Sequence, residues 1–286
     1  MKYKIIACDL DETLLNDEHL VGAKNVAAIK RAREEYGVKF EAIKKATELG
    51  VKFVPATGRG FNSVDDTLKE LGLYKKENEY VISYNGGAIT ENSTNRLLYF
   101  EGISFELASE LYKRGLNYDV CIHVYTKDMV YAYNYTQDER DYLAGRMEVT
   151  EIFEDNIDFL KGQEIVKCLY MNTDYSYLKE IEKDVKEITT GIDISYSSNR
   201  YIEFNHKGVN KGAGLLSLAE LLGVKQEETI AIGDNFNDLS MIKVAGLGVG
   251  VQNTVEDMKK YCDYITSVTC NESAVAEVIN KFVLNL

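Results

Sequence analysis

Two carboxylates, Asp9 and Asp11, follow the first apolar segment of the chain, residues 3–8. Carboxylates at the end of a strand resist burial and repel each other unless a cation lies between them. Mg²⁺ and a lysine side chain are the obvious candidates for that cation. One carboxylate could then attack phosphorus while the other moves a proton. The pair therefore points to phosphoryl-transfer chemistry.

Two simpler interpretations of this pair compete. An Asp after a strand is most often a turn former or a helix cap. The spacing Asp-x-Asp-x-Thr also copies the start of a calcium-binding EF-hand loop, which needs Gly at its sixth position and Glu at its twelfth. Those positions hold Leu14 and Leu20, so the calcium loop is excluded. The choice between a cap and a catalytic pair depends on the rest of the chain.

Three further groups of polar residues follow segments of strand character. These are Thr57 with Gly58, then Asn85, and then Asp234 with Asn237 and Asp238. Ligands of an open parallel sheet bind outside the carboxyl ends of its strands, so these groups should converge. Thr57 and Gly58 suit phosphate oxygens, although a plain helix cap is the commoner explanation of such residues. Asp234 would supply a further carboxylate for magnesium, and Asn237 and Asp238 would orient a lysine or the phosphate.

Lys211 stands at the start of a predicted helix. Most lysines are solvated surface residues, but a cation at a helix N-terminus opposes the helix dipole. A compensating anion is therefore expected beside Lys211, which would neutralise phosphate and keep Asp9 ionised.

Strands and helices alternate in the first and last parts of the chain, as in a doubly wound parallel sheet. Predicted strands are residues 3–8, 51–56, 80–84, 229–232, 247–251 and 264–266, and predicted helices are residues 25–35, 63–71, 212–222 and 272–283. The region between, residues 88–205, is rich in Tyr, with short mixed strands such as 120–124 and 165–170 and helices such as 177–186. The sequence predicts an α/β protein: a Rossmann-like, doubly wound parallel sheet core with an inserted smaller α/β cap domain.

A near-repeat occupies residues 28–53. Residues 28–32 with 37–40 almost recur as residues 42–46 with 50–53. The two copies compete for one strand position, and the second runs directly into the Thr57 segment, so we assign the strand to it. Residues 37–40 then form a loop or part of a longer helical excursion. Chance similarity between two amphipathic helices is the alternative.

Composition narrows the class of protein. The chain has 286 residues, 45% of them hydrophobic, which is typical of a globular protein. Its net charge of -13 argues against nucleic acid and against an anionic membrane as partners. Five scattered cysteines form no CxxC pair, and no apolar run is long enough for a signal peptide or a membrane span. We therefore expect reduced, buried thiols and a cytoplasmic protein.

Taken together, the motifs resemble those of the haloacid dehalogenase superfamily. Asp9-x-Asp11-x-Thr13, Thr57, Lys211 and Gly233-Asp234-x-x-Asn237-Asp238 match its four motifs in order, over nearly the whole chain. Asn85-Gly86-Gly87, residues 208–212 and the insertion are similar to the Cof-type subfamily, with its α/β cap. The departures are Glu12 in place of the usual Gly, Gly87 in place of a common Ala, and a longer spacing from Asp9 to Thr57.

The resemblance implies a Mg²⁺-dependent phosphatase of small phosphorylated metabolites such as sugar phosphates. Asp9 would be the nucleophile and Asp11 the general acid and base. The metal would be held by Asp9, the Asp11 backbone carbonyl and Asp234. The phosphate would be bound by Thr57, Gly58, Lys211 and Asn237, with Asp238 and Asn85 in support. Residues 1–86 and 206–286 would form the core, and residues 87–205 a cap that chooses the substrate.

Other readings share these motifs. A phosphotransferase or phosphomutase would need the same residues, and a non-catalytic phosphometabolite-binding protein would keep the same fold. His123, Arg200 and Glu203 of the insertion could contact a leaving group, although a structural role is commoner for such residues. The sequence names neither the substrate nor the oligomeric state.

Overall fold

The computed structural model of the protein describes residues 2–29, 50–144 and 147–284. The described residues form two compact units, one from residues 1–100 with 210–286 and the other from residues 101–209. The sequence predicts an insertion over residues 87–205, so the second unit starts later along the chain than the predicted cap. The role of that insertion in choosing a substrate stays a prediction.

Strands and helices are numbered along the chain. The strands are β1 (Ile5–Cys8), β2 (Lys52–Pro55), β3 (Tyr80–Ser83), β4 (Ala88–Glu91), β5 (Arg96–Phe100), β6 (Cys121–Thr126), β7 (Val130–Tyr133), β8 (Val149–Ile152), β9 (Ile165–Met171), β10 (Ile192–Ser197), β11 (Tyr201–His206), β12 (Thr229–Gly233), β13 (Leu247–Gly250) and β14 (Tyr264–Ile265). The helices are α1 (Asp65–Leu71), α2 (Phe105–Gly115), α3 (Gln137–Leu143), α4 (Tyr175–Asp184), α5 (Lys211–Leu221), α6 (Leu239–Val244), α7 (Glu256–Lys259) and α8 (Ala274–Ile279). A further helix has residues 23–29 as its described part.

A parallel sheet forms the centre of the first unit, with the strand order β14-β13-β12-β1-β2. β1 is apolar throughout because it is covered on both faces. Ile6 packs in the hydrophobic cluster that contains Ile279 of α8, whereas Ala7 packs in the one that contains Leu215 of α5. Since β1 is flanked by β12 and β2, the chain segments that follow these three strands emerge side by side.

β3 fits the predicted parallel arrangement on one side only. It lies parallel to the end of the β2 segment, through a bridge between Ala56 and Ile82 and a hydrogen bond from the Thr57 N–H to the Ile82 carbonyl at 2.9 Å. On its other side it pairs antiparallel with β4 in a small β3-β4-β5 sheet. The tight turn Tyr84–Gly86 reverses the chain directly after β3. The hairpin β4-β5 therefore belongs to the first unit.

The second unit is a six-stranded sheet in the order β10-β11-β9-β6-β7-β8. Neighbouring strands are antiparallel except for β7 and β8. On one face of this sheet, Tyr170 and Phe204 pack in one hydrophobic cluster with Leu111 of α2 and Ile181 of α4. A parallel core sheet with an inserted mixed α/β sheet confirms the predicted fold class.

Several element boundaries shift by a few residues. The predicted helix 63–71 is a 3₁₀ turn followed by α1, and it stops at Gly72 as predicted. The predicted closing helix 272–283 begins only at α8, because Ser273 adopts a φ of 71°, and it continues after α8 as a wider turn. Of the near-repeat, the second copy leads into β2 as predicted, whereas residues 37–40 lie outside the described residues.

Two expectations from the sequence concern the cysteine thiols and membrane-spanning segments. All five cysteines are described; none forms a disulfide, four are buried and Cys262 is half-buried. None of the described helices has the length and hydrophobicity needed to cross a bilayer.

Candidate active site

Asp9 lies at the carboxyl edge of the parallel sheet. Its backbone N–H donates to the Ile232 carbonyl at 2.9 Å, which extends the pairing of β1 with β12 by one residue. The Asp9 side chain is nearly buried. Because β1 and β12 are parallel neighbours, Asp9 and the residues that follow Gly233 meet at this edge.

A buried lysine connects two of the carboxylates. Lys211 is the first residue of α5, and its Nζ lies 2.5 Å from Asp9 Oδ1 and 2.6 Å from Asp238 Oδ1. Lys211 is completely inaccessible to solvent. Burial by itself would lower the pKa of Lys211, but the charges of Asp238 and Asp9 outweigh it and raise that pKa above its usual value. The anion expected beside Lys211 is therefore this pair of carboxylates.

Asp238 is fully committed to its neighbours. While Oδ1 accepts from Lys211, Oδ2 accepts hydrogen bonds from the backbone N–H groups of Asp234 and Asn235, at 3.0 and 3.2 Å. Asp234 accepts at Oδ1 from the Thr13 hydroxyl, at 2.8 Å. Asp238 thus shapes the loop after β12 and holds the lysine.

The cluster carries an excess of negative charge. Oxygen atoms of Asp9, Asp234 and Asp238 lie within 4.8 Å of one another, and Lys211 is the only cation that bonds to them among the described residues. Burial, reinforced by the charge of Asp238, raises the pKa of Asp9 well above its usual range and that of Asp234 to about 6. Such a cluster is stable in its charged form only with further positive charge.

Two oxygen atoms remain for a metal ion. In the described part of the chain, Asp9 Oδ2 and Asp234 Oδ2 accept no hydrogen bond, whereas both oxygens of Asp238 are occupied. Carboxylate oxygens are the ligands that hard divalent cations prefer. These two oxygens therefore fit a divalent cation bound by Asp9 and Asp234. Asp238 would not be one of the ligands of that cation.

The loop after β2 offers donors for an anion. Thr57 is buried, and its hydroxyl accepts from the Arg59 N–H at 3.0 Å, which leaves the hydroxyl proton available. The Gly58 N–H donates no hydrogen bond within the described residues. Asn85 packs against Gly58, and its buried Oδ1 has no partner there. The Thr57 hydroxyl and the Gly58 N–H are both donors that suit phosphate oxygens.

Two predicted site residues stand apart from the cluster. The Asp11 side chain is 45% exposed. It pairs with Arg59, whereas the buried carboxylates Asp9 and Asp238 pair with Lys211. Asn237 is exposed on the turn between Asp234 and Asp238, and its side chain makes no hydrogen bond to the described residues. The sequence-based prediction includes Arg59 in the Thr57-Gly58-Arg59 segment that fits a phosphate contact, but it gives the Arg59 side chain no role of its own.

A close approach fixes the position of Lys211. A Cβ atom added to Gly86 would lie 2.2 Å from the Asn210 carbonyl oxygen, and Gly86 has a φ of +98°. Asn210 caps α5 by accepting from the Ala213 N–H at 2.9 Å. The glycine therefore lets the turn after β3 pack on the residue before Lys211.

We expect Gly86→Ala to lower the free energy of unfolding by about 2–4 kcal/mol, from the strained φ and from overpacking. Gly191→Ala is the matched control, because Gly191 has a similar φ of +93° but nothing within 4 Å of an added Cβ. It should cost only about 1–2 kcal/mol. Urea unfolding measures both variants, and equal losses would refute the packing argument.

The loop between Asp9 and Thr13 contains a strained residue. Glu12 has φ 58° and ψ 8°, a left-handed conformation that costs a non-glycine residue about 1–2 kcal/mol. Its carbonyl accepts from Asn253 Nδ2 at 2.8 Å, which helps to hold this conformation. Position 12, where the haloacid dehalogenase superfamily usually has Gly, therefore adopts a backbone conformation that favours glycine.

We expect Glu12→Gly to raise the free energy of unfolding by roughly 0.5–1 kcal/mol, since glycine relieves the strain but loses more backbone entropy on folding. Glu12→Ala removes the same charge and keeps a Cβ, so it should bring no such gain. Thermal and urea unfolding compare the two variants. Equal effects would mean that charge, and not backbone strain, governs this position.

The candidate leaving-group residues of the second unit have partners within that unit. Glu203 pairs with Lys167 at 2.5 Å, and Arg200 lies 3.0 Å from Glu139. His123 is fully buried; burial, with the nearby charges of Lys167 and Arg200, lowers its pKa to about 3. These ion pairs account structurally for Glu203 and Arg200. His123 Nε2 lies 3.3 Å from Glu139 Oε1, but neither ring nitrogen makes a hydrogen bond within the described residues.

Known proteins that this chain resembles are hydrolases and phosphatases, which agrees with the cluster of carboxylates and lysine described above. The profile of haloacid dehalogenase-like hydrolases matches residues 38–279. The chain is 30% identical over 285 residues to a Bacillus subtilis protein, the 5-amino-6-(5-phospho-D-ribitylamino)uracil phosphatase YcsE, covering 98% of this chain and 96% of that one.

Solved structures resemble the whole chain. A haloacid dehalogenase-like hydrolase from Bacteroides thetaiotaomicron is 30% identical, with a TM-score of 0.82 over 98% of this chain and 99% of that one. The sugar phosphatase BT4131 of subclass IIB shares the fold, with a TM-score of 0.77 at 20% identity, covering 98% of each chain.

Proposed function

Because the chain belongs to the haloacid dehalogenase-like hydrolase family, with the inserted cap of its Cof-type members, and is a phosphatase of that family, we propose that it hydrolyses small phosphorylated metabolites, sugar phosphates first among them. The observation that carries the proposal is the buried Asp9, which lies against Lys211 and beside Asp234 with one oxygen uncommitted. A sugar-phosphate substrate is supported by BT4131, a sugar phosphatase of the same fold.

In the proposed first step, Asp9 attacks phosphorus, and the bond between phosphorus and the leaving oxygen breaks. Asp11, as the acid, gives its proton to that oxygen, so the alcohol departs neutral and Asp9 carries the phosphoryl group. In the second step Asp11 takes a proton from water, which attacks phosphorus and releases phosphate and free Asp9. Thr57, Gly58 and Lys211 bind the phosphoryl oxygens, and we also assign Asn237 to this role.

Mg²⁺ is the proposed ion for the donor set of Asp9, Asp234 and the Asp11 backbone carbonyl. When bound, it would supply the positive charge that lets a carboxylate approach an anionic phosphoryl group. Asp238 holds Lys211, and Asn85 supports the loop of Gly58.

A panel of phosphate monoesters tests this function, with phosphate release measured with Mg²⁺, after EDTA treatment, and after Mg²⁺ is restored. We expect release with sugar phosphates that disappears with EDTA and returns with Mg²⁺. Phosphorylated acceptor without equivalent free phosphate would instead identify a phosphotransferase or mutase. Tight binding of esters without any turnover would identify a non-catalytic binding protein.

A further inference from the structure

Arg59 and Asp11 form a two-pronged ion pair. Arg59 Nε donates to Asp11 Oδ2 at 2.9 Å, and Arg59 Nη2 donates to Asp11 Oδ1. Parallel hydrogen bonds of this kind fix the orientation of a carboxylate, which a single point charge would not do. The side chains are 25% and 45% exposed, so the pair lies at the solvent side of the buried carboxylates.

The backbone of Arg59 is held at both ends. Its N–H donates to the Thr57 hydroxyl at 3.0 Å, and its carbonyl accepts from the Tyr84 N–H at 3.0 Å. The guanidinium therefore extends from a fixed point of the Thr57–Gly58 loop. Asp11, in contrast, lies in the irregular loop that also contains the left-handed Glu12. Asp11 itself has a ψ of 130°, which interrupts the helical turn there.

We propose that Arg59 is the positioning residue of Asp11, an inference that rests on the proposed function. Its two hydrogen bonds direct the carboxyl group of a distorted loop toward the leaving oxygen. They tie this group to the same loop that offers Thr57 and Gly58 to the phosphate. The acid and the phosphate site are thereby held in one geometry.

The ion pair leaves lone-pair sites of the Asp11 carboxyl group open for proton transfer. A carboxylate has about four lone-pair sites, and Arg59 occupies two of them. A proton on a third site passes to the leaving oxygen as the bond from that oxygen to phosphorus breaks, and Asp11 becomes the anion that Arg59 pairs. The same site then accepts a proton from the attacking water, so the cycle closes without another reactant.

Direct phosphate binding is the competing role of Arg59, and the two roles respond differently to the leaving group. Phenyl and 4-nitrophenyl phosphate are similar in size, but nitrophenolate departs without a proton and phenolate needs one. Loss of a positioned acid should therefore slow phenyl phosphate far more. Loss of a phosphate contact should slow both esters equally.

The experiment measures kcat and KM for both esters in the wild type, Arg59→Gln, Arg59→Lys and Arg96→Gln. Arg96 is an exposed arginine of β5 and provides the same chemical change away from the proposed machinery. We expect Arg59→Gln to lower kcat/KM, which reports the step that releases the alcohol, by about 10²-fold for phenyl phosphate and by less than about threefold for 4-nitrophenyl phosphate, within the range of general acid catalysis. Arg59→Lys should recover part of this loss, and Arg96→Gln should match the wild type.

A double variant completes the test. In an Asp11→Asn background, Arg59→Gln should cause no further loss that depends on the leaving group, because the two residues act as one unit. Equal losses for both esters, or a fully additive double variant, would overturn the inference while leaving the proposed function intact. A wild type that releases phosphate from neither ester nor from any sugar phosphate would overturn both.

Discussion

We expect Asp9→Asn to lower kcat by at least about 10⁴-fold while the protein stays folded; removal of a catalytic nucleophile can cost about 10⁶-fold. An amide cannot form the phosphoryl-enzyme, so the reaction loses its first step. The change is nearly isosteric. It also removes one of three buried carboxylates that raise one another's free energy.

Single-turnover phosphate release and circular dichroism check this expectation. Asp66→Asn is the control, since Asp66 is a surface carboxylate whose side chain is 93% exposed, and it should retain full activity. Residual turnover of Asp9→Asn above about one hundredth of the wild type would contradict the nucleophile assignment. Loss of folding would show instead that Asp9 is needed to hold Lys211.

We expect Lys211→Met to lower the free energy of unfolding by about 3–5 kcal/mol and to abolish turnover. Lys211 has no exposed surface, and its ammonium lies between Asp9 and Asp238. Methionine has a similar shape but leaves the buried carboxylates without their cation. Two uncompensated charges at this depth cost more than the lost contacts themselves.

Urea unfolding with and without Mg²⁺ measures the effect of Lys211→Met. Adding Asp238→Asn to this variant should restore part of the stability, because it removes one uncompensated charge, but it should not restore turnover. Lys69→Met is the control, since Lys69 pairs with Asp66 at the surface, and it should unfold like the wild type. A stability of Lys211→Met close to that of the wild type would contradict the buried ion-pair argument.

Many elements of the first unit could be predicted from local sequence signals. The strand before Asp9 is an unbroken apolar run because β1 is covered on both faces, and such runs are visible without a structure. The helix at Lys211 was predicted to begin one residue late, since the Asn210 cap and the apolar spacing mark it closely. The convergence of Asp9 and Asp234 was predicted from strand topology. Lys211 follows no strand, and it was placed beside Asp9 by its position at a helix start and by the family resemblance.

Other features depend on backbone conformations that residue types do not reveal. Tyr84 and Asn85 adopt positive φ values of 53° and 54°, and this turn makes β3 begin a hairpin instead of a parallel crossover. Tyr84 gives no sign of such a turn, whereas Asn85 followed by Gly86 is a recognised turn signal. The Arg59–Asp11 pair is hidden for a similar reason, because its side-chain directions are set by two irregular loops.

The contact between Asp9 and Lys211 joins residues 202 positions apart, and β1 pairs with β12 across a comparable separation. On the ribosome, a nascent chain that has emerged only as far as β5 therefore holds Asp9 without its ammonium partner and β1 with one edge unpaired. Unpaired strand edges invite association with other chains. Prematurely terminated products of this gene should consequently be clients of chaperones or proteases and not folded half-proteins.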